Sequence, residues 1–380
     1  MHKVDLSYAL AATRDSGPGG TLIRNPLMDL LQAVHASGSI SGAAKALDLS
    51  YRHVWGELKR WEQTLARPLV VWDKGQPARL SEFGAKLLWA ERQAQARLAP
   101  QIEALRADLE SAFAVAFDDQ AHVLALYASH DEALVALRER AAGAGLHLDI
   151  RFTGSLDAIQ ALNQGRCILA GFHTPPSPLP GSLAERSYKP LLQPGRHKVI
   201  GFARRSQGLI VARGNPLGLG SLTDLVRRDA RFVNRPLGTG TRLLLDELLA
   251  QAGLSPNALR GYAHCEPSHA AVAQAVAAGQ ADAGLGIETA ARSRGLDFVP
   301  LLQEDYHLVC LKSALDQPPV AALRQLLATP DWQRQLAGLA GYVPARCGEV
   351  LSLSRLLPWW RFARRKDDRA SPLANPVASG

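Results

Sequence analysis

Hydroxyl and cationic side chains recur where the second half of the sequence passes from a strand pattern into a helix pattern. Ser129 follows the apolar run 123–128, Ser155 follows the alternating run 146–152, and Thr239 follows a short apolar segment. Each turn also presents the free N–H groups of a helix start, which attract anions. Ligands of open α/β sheets bind beyond the carboxyl ends of the strands, so we predict one shared anion site. Its predicted members are Ser129, His130, Ser155, Thr239, Thr241, Arg242, Ser268, His269 and Tyr306.

Each of these side chains also has an ordinary structural interpretation. A single Ser or Thr at a helix start is commonly just a cap, and Arg242 has the alternative of pairing with a surface carboxylate. The group therefore carries the prediction, not any one member. The sequence has no P-loop, H-E-x-x-H or G-x-S-x-G motif, and Gly-Thr-Gly-Thr-Arg242 lacks the third glycine of a dinucleotide-binding fingerprint. We predict no catalytic residue, no metal ligand and no tightly bound cofactor, and hence no enzyme.

A second group of chemically active residues lies on one face of a short helix after Asp48. Ser50 is placed to cap this helix, and Val54 and Leu58 begin an apolar stripe at helical spacing. The opposite face opens with Tyr-Arg-His, which is typical of a helix that enters a DNA major groove. The alternative is a helical hairpin with a solvated basic face. The predicted DNA contacts are Ser39, Ser50, Tyr51, Arg52, His53, Lys59, Lys74 and Arg79.

The elements around this helix favour a DNA-binding domain. Residues 68–72 and 78–80 are predicted to form a hairpin, the wing of a winged helix-turn-helix. A long helix then begins at Ser81-Glu82, with apolar residues every three or four positions, and Pro100 is predicted to kink or split it. Its stripe is predicted to pair with a second copy, as a homodimer or a dimer of dimers. The alternative is that the stripe packs on its own chain.

The second half of the chain alternates strand and helix patterns, which predicts an open parallel sheet with helices on both faces. Strands are predicted near 197–203, 208–212, 298–300 and 306–311. The predicted organisation is a flexible leader (1–20), a winged helix-turn-helix (21–80), a linker and dimerisation helix (81–112), an α/β domain (120–345) and a flexible tail (351–380). The α/β domain is predicted to have lobe I at 120–205 and 298–345, and lobe II at 214–297.

The composition restricts the classes of partner that the protein is expected to bind. The 380 residues carry a net charge of +8 and a pI near 9.5, which favours an anionic partner. The four cysteines form no C-x-x-C pair, so we predict neither a disulfide framework nor a zinc site. No apolar run approaches the ~18 residues of a membrane span. We therefore predict a cytoplasmic protein without a membrane partner.

Two resemblances extend these predictions. Residues 20–110, through NPLMDLLQAVHASGSISGAAKALDLSYRHVWGELKRWE and PARLSEFGAKLL, resemble the winged helix-turn-helix of ModE-type and LysR-type bacterial transcription regulators. Residues 120–345, through VNRPLGTGTRLLLDELLAQAGL and EPSHAAVAQAVAAGQADAGLGIETAA, resemble a type 2 periplasmic-binding-protein fold similar to molybdate-binding proteins. The expected fold is therefore multidomain: an all-α winged helix-turn-helix and a linker helix, followed by a two-lobed α/β domain.

The resemblances also imply a function. They imply a cytoplasmic regulator that binds double-stranded DNA and senses a small anion, namely molybdate, tungstate or a molybdenum-cofactor-type compound. The chain has no Ser-Ala-Arg-Asn motif of the usual ModE effector module, so a small carboxylate remains open as the ligand. The alternative function is a ligand-binding protein whose N-terminal module binds a partner other than DNA.

Overall fold

The computed structural model describes residues 25–72, 77–117 and 122–360. Its N-terminal domain packs three helices around Leu31, Val34 and Val54, which are fully buried. The Asn25 side chain accepts a hydrogen bond from the Leu27 N–H and so caps the first helix. The domain consists of α1 (Pro26–Ser37), α2 (Ile40–Ala46), α3 (Tyr51–Leu65), β1 (Val70–Val71) and β2 (Arg79–Leu80).

The predicted hairpin after α3 is present, with short strands. Strands β1 and β2 pair antiparallel, with Val70 opposite Leu80. The Glu62 carboxylate accepts hydrogen bonds from the Leu69 and Val70 N–H groups, so the end of α3 is fastened to the hairpin. This contact fixes the direction in which the hairpin leaves the helix.

The long helix α4 (Glu82–Phe117) runs unbroken through Pro100, so the predicted split is wrong. A proline has no N–H, and the Ala96 carbonyl therefore loses its partner four residues on. The Ser268 hydroxyl donates to that carbonyl over 3.2 Å. The bond that proline removes is replaced from outside the helix, which satisfies the freed carbonyl.

The α/β part contains one nine-stranded sheet. Seven of its strands follow the order β4-β3-β5-β9-β6-β8-β7, and β10 and β11 both pair with β6. Its helices pack against the sheet and bury a core of Leu, Val, Ala and Ile side chains. The first elements are β3 (His122–Ala128), α5 (Glu132–Ala142), β4 (Leu146–Phe152), α6 (Ser155–Asn163), β5 (Leu169–Thr174), α7 (Leu183–Tyr188) and β6 (His197–Val211). Then follow α8 (Leu222–Arg227), β7 (Phe232–Val233), α9 (Gly240–Gln251), α10 (His269–Ala277), β8 (Ala283–Ile287), α11 (Glu288–Arg292) and β9 (Asp297–Leu311). The last are α12 (Pro318–Ala328), α13 (Pro330–Ala337), β10 (Tyr342–Pro344), β11 (Val350–Leu351) and α14 (Leu353–Leu356).

Two long strands join the lobes. Where the sequence predicts four short strands, the structure has β6 and β9, of 15 residues each, paired antiparallel from end to end. Strand β5 pairs with the second half of β9, and β8 pairs with the second half of β6. The register shifts between Gly201 and Ala203 and between Gln207 and Gly208. Lobe I is therefore built on β3, β4 and β5, lobe II on β7 and β8, and β6 and β9 belong to both.

The predicted C-terminal tail begins too early. Strand β11 pairs with β6, and Leu353, Leu357 and Trp359 are buried against lobe I. These apolar side chains favour packing over a solvated segment. Residues 361–380 of the predicted tail, like the predicted leader 1–20, lie outside the described residues.

Candidate functional sites

The first turn of α3 presents three neighbouring side chains to solvent: Tyr51, Arg52 and His53. Ser50 accepts a hydrogen bond from the His53 N–H and fixes the start of the helix. On the other side Val54 is fully buried in the domain core. The helix thus holds a polar, cationic surface rigidly outward.

The remaining residues predicted to contact DNA have different surroundings. Ser39 caps α2 by accepting from the Gly42 N–H, so its hydroxyl already serves the helix start. Lys59 Nζ lies 2.7 Å from Glu62 and 5.1 Å from the centre of the Trp72 ring, so its charge is already engaged. Arg79 lies on β2 and is exposed. Lys74 lies outside the described residues.

The second site lies between the lobes, and we call it the inter-lobe pocket. We define it by residues at the carboxyl ends of β3, β4 and β5 in lobe I and at the starts of α9 and α10 in lobe II. Of these, His173, Thr174 and Gly240 line a cavity between the lobes. The lobes approach closely: a Cβ added to Gly154 would lie 2.7 Å from the Gly238 carbonyl oxygen, and one added to Gly240 would lie 3.5 Å from Ser155 Oγ. Glycine at these positions permits the contact.

Four of the predicted anion-binding residues have buried polar atoms without a hydrogen-bond partner. Ser129 Oγ, His269 Nδ1 and Tyr306 Oη are three of these atoms. Ser155 Oγ lies beside the buried Tyr188 hydroxyl without hydrogen-bond geometry. Buried polar atoms are nearly always paired in folded proteins, so this concentration of unpaired atoms marks a place for a ligand or ordered water.

Three further predicted residues serve the fold through their hydroxyl groups. Thr239 caps α9 and donates to the Pro236 carbonyl. Thr241 Oγ1 accepts from Gln207, and Ser268 caps α10 while donating to α4.

Arg242 and His130, the remaining residues of the predicted set, have different surroundings. The Arg242 guanidinium lies 3.2 Å from an Asp246 oxygen and 4.0 Å above the Tyr262 ring centre. It is thus paired with a carboxylate, the alternative that the sequence leaves open. The His130 ring packs edge-on against Phe152 with centroids 4.7 Å apart.

Sequence reasoning missed three residues of the pocket: His173, Gln207 and Arg235. Nε2 of His173, Oε1 of Gln207 and Nε of Arg235 are buried without a partner. His173 lies near the end of β5 and Arg235 follows β7, so a position at the end of a strand is the signal that could have found them. Gln207 lies within β6, and nothing in its local sequence indicates burial.

A buried charge network on β6 and β9, the two strands that join the lobes, supports the pocket. Arg205 Nε lies 2.6 Å from Glu304, and its Nη1 contacts Asp131. The Tyr342 hydroxyl donates to Asp131 over 2.7 Å, and Gln207 donates to Glu304 over 2.9 Å. The charge of Arg205 is therefore fully compensated inside the protein.

The histidines around the pocket are neutral near pH 7. Burial lowers the pKa of His130 to about 4, and it lowers the pKa values of His173 and His269 well below their ordinary value. The charge of Arg235 lowers the pKa of His269 further. Neutral imidazoles can donate or accept a hydrogen bond without adding charge to the site.

Comparison with known proteins assigns both parts of the chain. Residues 136–328 match the PBP superfamily domain. The chain belongs to this family. Residues 27–85 match the bacterial regulatory helix-turn-helix protein of the lysR family. A LysR-type helix-turn-helix domain therefore precedes a PBP-like domain, and the predicted fold class is confirmed.

Two curated relatives resemble this PBP-like protein. YvgK of Bacillus subtilis is 34% identical over 201 residues, which are 53% of this chain and 64% of YvgK. The chain thus spans slightly less than two thirds of the length of that relative. A Clostridium pasteurianum protein from the 5′ region of a 2Fe-2S ferredoxin gene is 33% identical over 111 residues, which are 29% of this chain and 98% of that protein.

Solved structures also align with the chain. Full-length BenM aligns with a TM-score of 0.40 at 15% identity and covers 82% of this chain and 96% of its own. CbnR complexed with its target DNA aligns with a TM-score of 0.39 at 16% identity and covers 78% of this chain and 95% of its own.

Proposed function

We propose that the protein is a cytoplasmic DNA-binding transcriptional regulator whose PBP-like domain senses a small anion. The observation that carries this proposal is the outward-facing first turn of α3, with Tyr51, Arg52 and His53, within a LysR-type domain. Arg52 forms no ion pair with any residue in the described part of the chain, which leaves its guanidinium available to a base edge or phosphate. Both family descriptions are of regulatory or binding domains, which favours binding over catalysis. No helix within 25–72, 77–117 or 122–360 has the length and apolarity to cross a membrane.

The proposed effector is a compact oxyanion: molybdate, tungstate or the anionic part of a molybdenum-cofactor-type compound, with a small carboxylate as the second candidate. The unpaired atoms of Ser129, His173, His269 and Tyr306 support this class, because hydroxyl and imidazole groups can surround a small anion with hydrogen bonds. The close approach of the lobes at Gly154 and Gly238 favours a small ligand over a bulky one.

Helix α4 is proposed to pair with a second copy in a homodimer or a dimer of dimers. Part of its predicted stripe is exposed on this chain, at Ala90, Ala94, Leu98 and Leu105. The opposite side of α4, including Leu88 and Ala107, is buried against the same chain. An apolar row on a helix already packed on its other side favours a partner helix.

Helix α4 also offers a route between effector and DNA. Arg97 makes a two-pronged ion pair with the buried Glu266 carboxylate, to which Gln93 also donates. Ser268 holds the carbonyl of Ala96, which is freed by the following proline. A ligand that favours one arrangement of the lobes would move these contacts and with them the DNA-binding domains, provided that it binds that arrangement better.

The test is a gel-shift with DNA from upstream of the protein's own gene, with and without molybdate. We expect Arg52→Ala to lower the preference for specific over unrelated DNA by about 1–3 kcal/mol, because a bidentate base contact is lost. Lys74→Ala is the matched control: loss of a phosphate contact should weaken binding to every sequence alike. If the wild-type protein shifts no DNA specifically, the helix-turn-helix serves another partner, as in the alternative function.

A further inference from the structure

Arg235 stands out among the buried arginines of the described residues because no carboxylate pairs with it. It is 2% exposed; its Nη1 donates to the Glu266 main-chain carbonyl over 3.2 Å, and its Nε has no partner. By contrast, the buried Arg138 guanidinium lies 2.6 Å from a Glu103 oxygen. A buried cation without a counter-charge costs several kcal/mol, roughly, after the protein relaxes around it.

The backbone around Arg235 is fixed by hydrogen bonds, and the Nη1 bond to the Glu266 carbonyl restrains the guanidinium. The Arg235 carbonyl accepts from the Arg242 guanidinium over 3.3 Å and from the Cys265 thiol over 3.5 Å. Its N–H donates to Asn234 Oδ1 over 2.8 Å. A receptor that is ordered before its ligand arrives loses little entropy on binding.

The nearby charges do not neutralise Arg235. Its pKa is lowered to about 10 by burial and by the positive charge of Arg205. Glu132 attracts it without forming an ion pair, and burial raises the Glu132 pKa to about 7, so that this carboxyl is only partly ionised at neutral pH. His130 and His269 are neutral there. Arg235 therefore has no ion-paired carboxylate of its own among the described residues.

We propose that Arg235 is the charge-bearing anchor of the effector site and takes a compact oxyanion or carboxylate, with its Nε and the hydrogen-bonding groups of Ser129, His269 and Tyr306 as donors. This deepens the proposed function, on which it rests for the ligand class. A neutral ligand would fill the same pocket without satisfying the guanidinium. Because Glu266 binds Arg235 through its carbonyl and Arg97 through its carboxylate, the anchor is joined directly to α4.

The experiment compares Arg235→Gln and Arg235→Lys with Arg231→Gln. Arg231 directly precedes β7 and forms a partly exposed ion pair with Asp282. Sodium molybdate, tungstate, sulfate and acetate are titrated into each full-length protein at constant ionic strength, with calorimetry and thermal unfolding as readouts. We expect Arg235→Gln to weaken binding roughly 10- to 100-fold, the equivalent of a charge-assisted hydrogen bond. The anion affinity of Arg235→Lys should lie between those of Arg235→Gln and wild type, and the affinity of Arg231→Gln should equal that of wild type. Equal affinity in Arg235→Gln and wild type would overturn the proposal.

If none of the four anions binds the wild-type protein, the unfolding temperatures of Arg235→Gln and wild type test the role of Arg235. Removal of an uncompensated buried charge should raise the unfolding temperature of Arg235→Gln above that of wild type. A lower temperature would mean that Arg235 holds the fold together, and the anchor role would be wrong. The DNA test is separate: a protein that binds anions through Arg235 but shifts no DNA would overturn the regulator and leave the anchor standing.

Discussion

The helix-turn-helix domain and the inter-lobe pocket differ in whether their polar groups have solvent or hydrogen-bond partners. On α3 the polar groups are exposed or already satisfied, as with the cap of Ser50 and the Lys59–Glu62 pair. In the pocket, Ser129 and Tyr306 keep buried atoms unpaired. Exposed groups exchange one partner for another at little cost, whereas buried unpaired groups gain strongly when a ligand arrives. The first region therefore suits the large partner that we propose for it, and the second suits the proposed small anion.

The sharpest test of this contrast compares two arginines. Arg205→Met should destabilise the protein by about 3–5 kcal/mol, because Asp131 and Glu304 would be left buried without their cation. Arg60→Met, which breaks the exposed pair with Glu57 on α3, should cost about 0–1 kcal/mol. Urea unfolding measures both. Equal losses would mean that the two regions do not differ in the energetic weight of their charges.

A second test uses pH. The pKa values of His130, His173, His269 and His307 are lowered by burial, so the folded protein binds fewer protons than the unfolded chain at mildly acidic pH. The stability is therefore complete above about pH 6.5 and falls as the pH drops toward 4, by about 1.4 kcal/mol per pH unit for each histidine. Urea unfolding between pH 7.5 and 5 should show the slope, and His130→Gln should reduce it. A stability that stays constant down to pH 5 would contradict the buried, neutral state of these rings.

The smallest expected effect comes from a matched pair of serines. Ser50→Ala removes a helix cap and should cost about 1 kcal/mol. Ser129→Ala removes a hydroxyl that has no partner, and the stability should change by less than about 0.5 kcal/mol. The same Ser129→Ala protein should bind its anion more weakly. A loss of stability equal to that of Ser50→Ala would mean that Ser129 supports the fold.

The sequence predicts the local elements because the residues that determine each one lie close together in the chain. Helix α3 was predicted from Ser50 and the spacing of Val54 and Leu58, and the structure has that cap and that buried stripe. The continuity of β6 was not predicted, because Arg204-Arg205-Ser206-Gln207 has the polarity of a loop. The buried Arg205 is paired with Glu304 and Asp131, residues 99 and 74 positions away, and such pairing leaves no local trace.

The membership of the candidate pocket stays a prediction. Ser129 and Ser155 lie just after β3 and β4, where the strand-end rule places them, whereas Tyr306 lies within β9. Arg235 also follows a strand, but the nearby Arg242 has the same guanidinium group and lies in the first turn of a helix. Only the burial and the partners of the two guanidinium groups distinguish them, and both depend on residues distant in sequence, such as Glu266.

The contacts of α4 make the two proposed binding events depend on each other in both directions. Arg97 and Gln93 belong to the helix that carries the DNA-binding domain, and Glu266 belongs to the segment that holds Arg235. By thermodynamic reciprocity, a factor by which the anion changes DNA affinity must equal the factor by which DNA changes anion affinity, typically about 5- to 150-fold. The operator would then act as an effector of the pocket, so that promoter-bound and free protein respond to different anion concentrations.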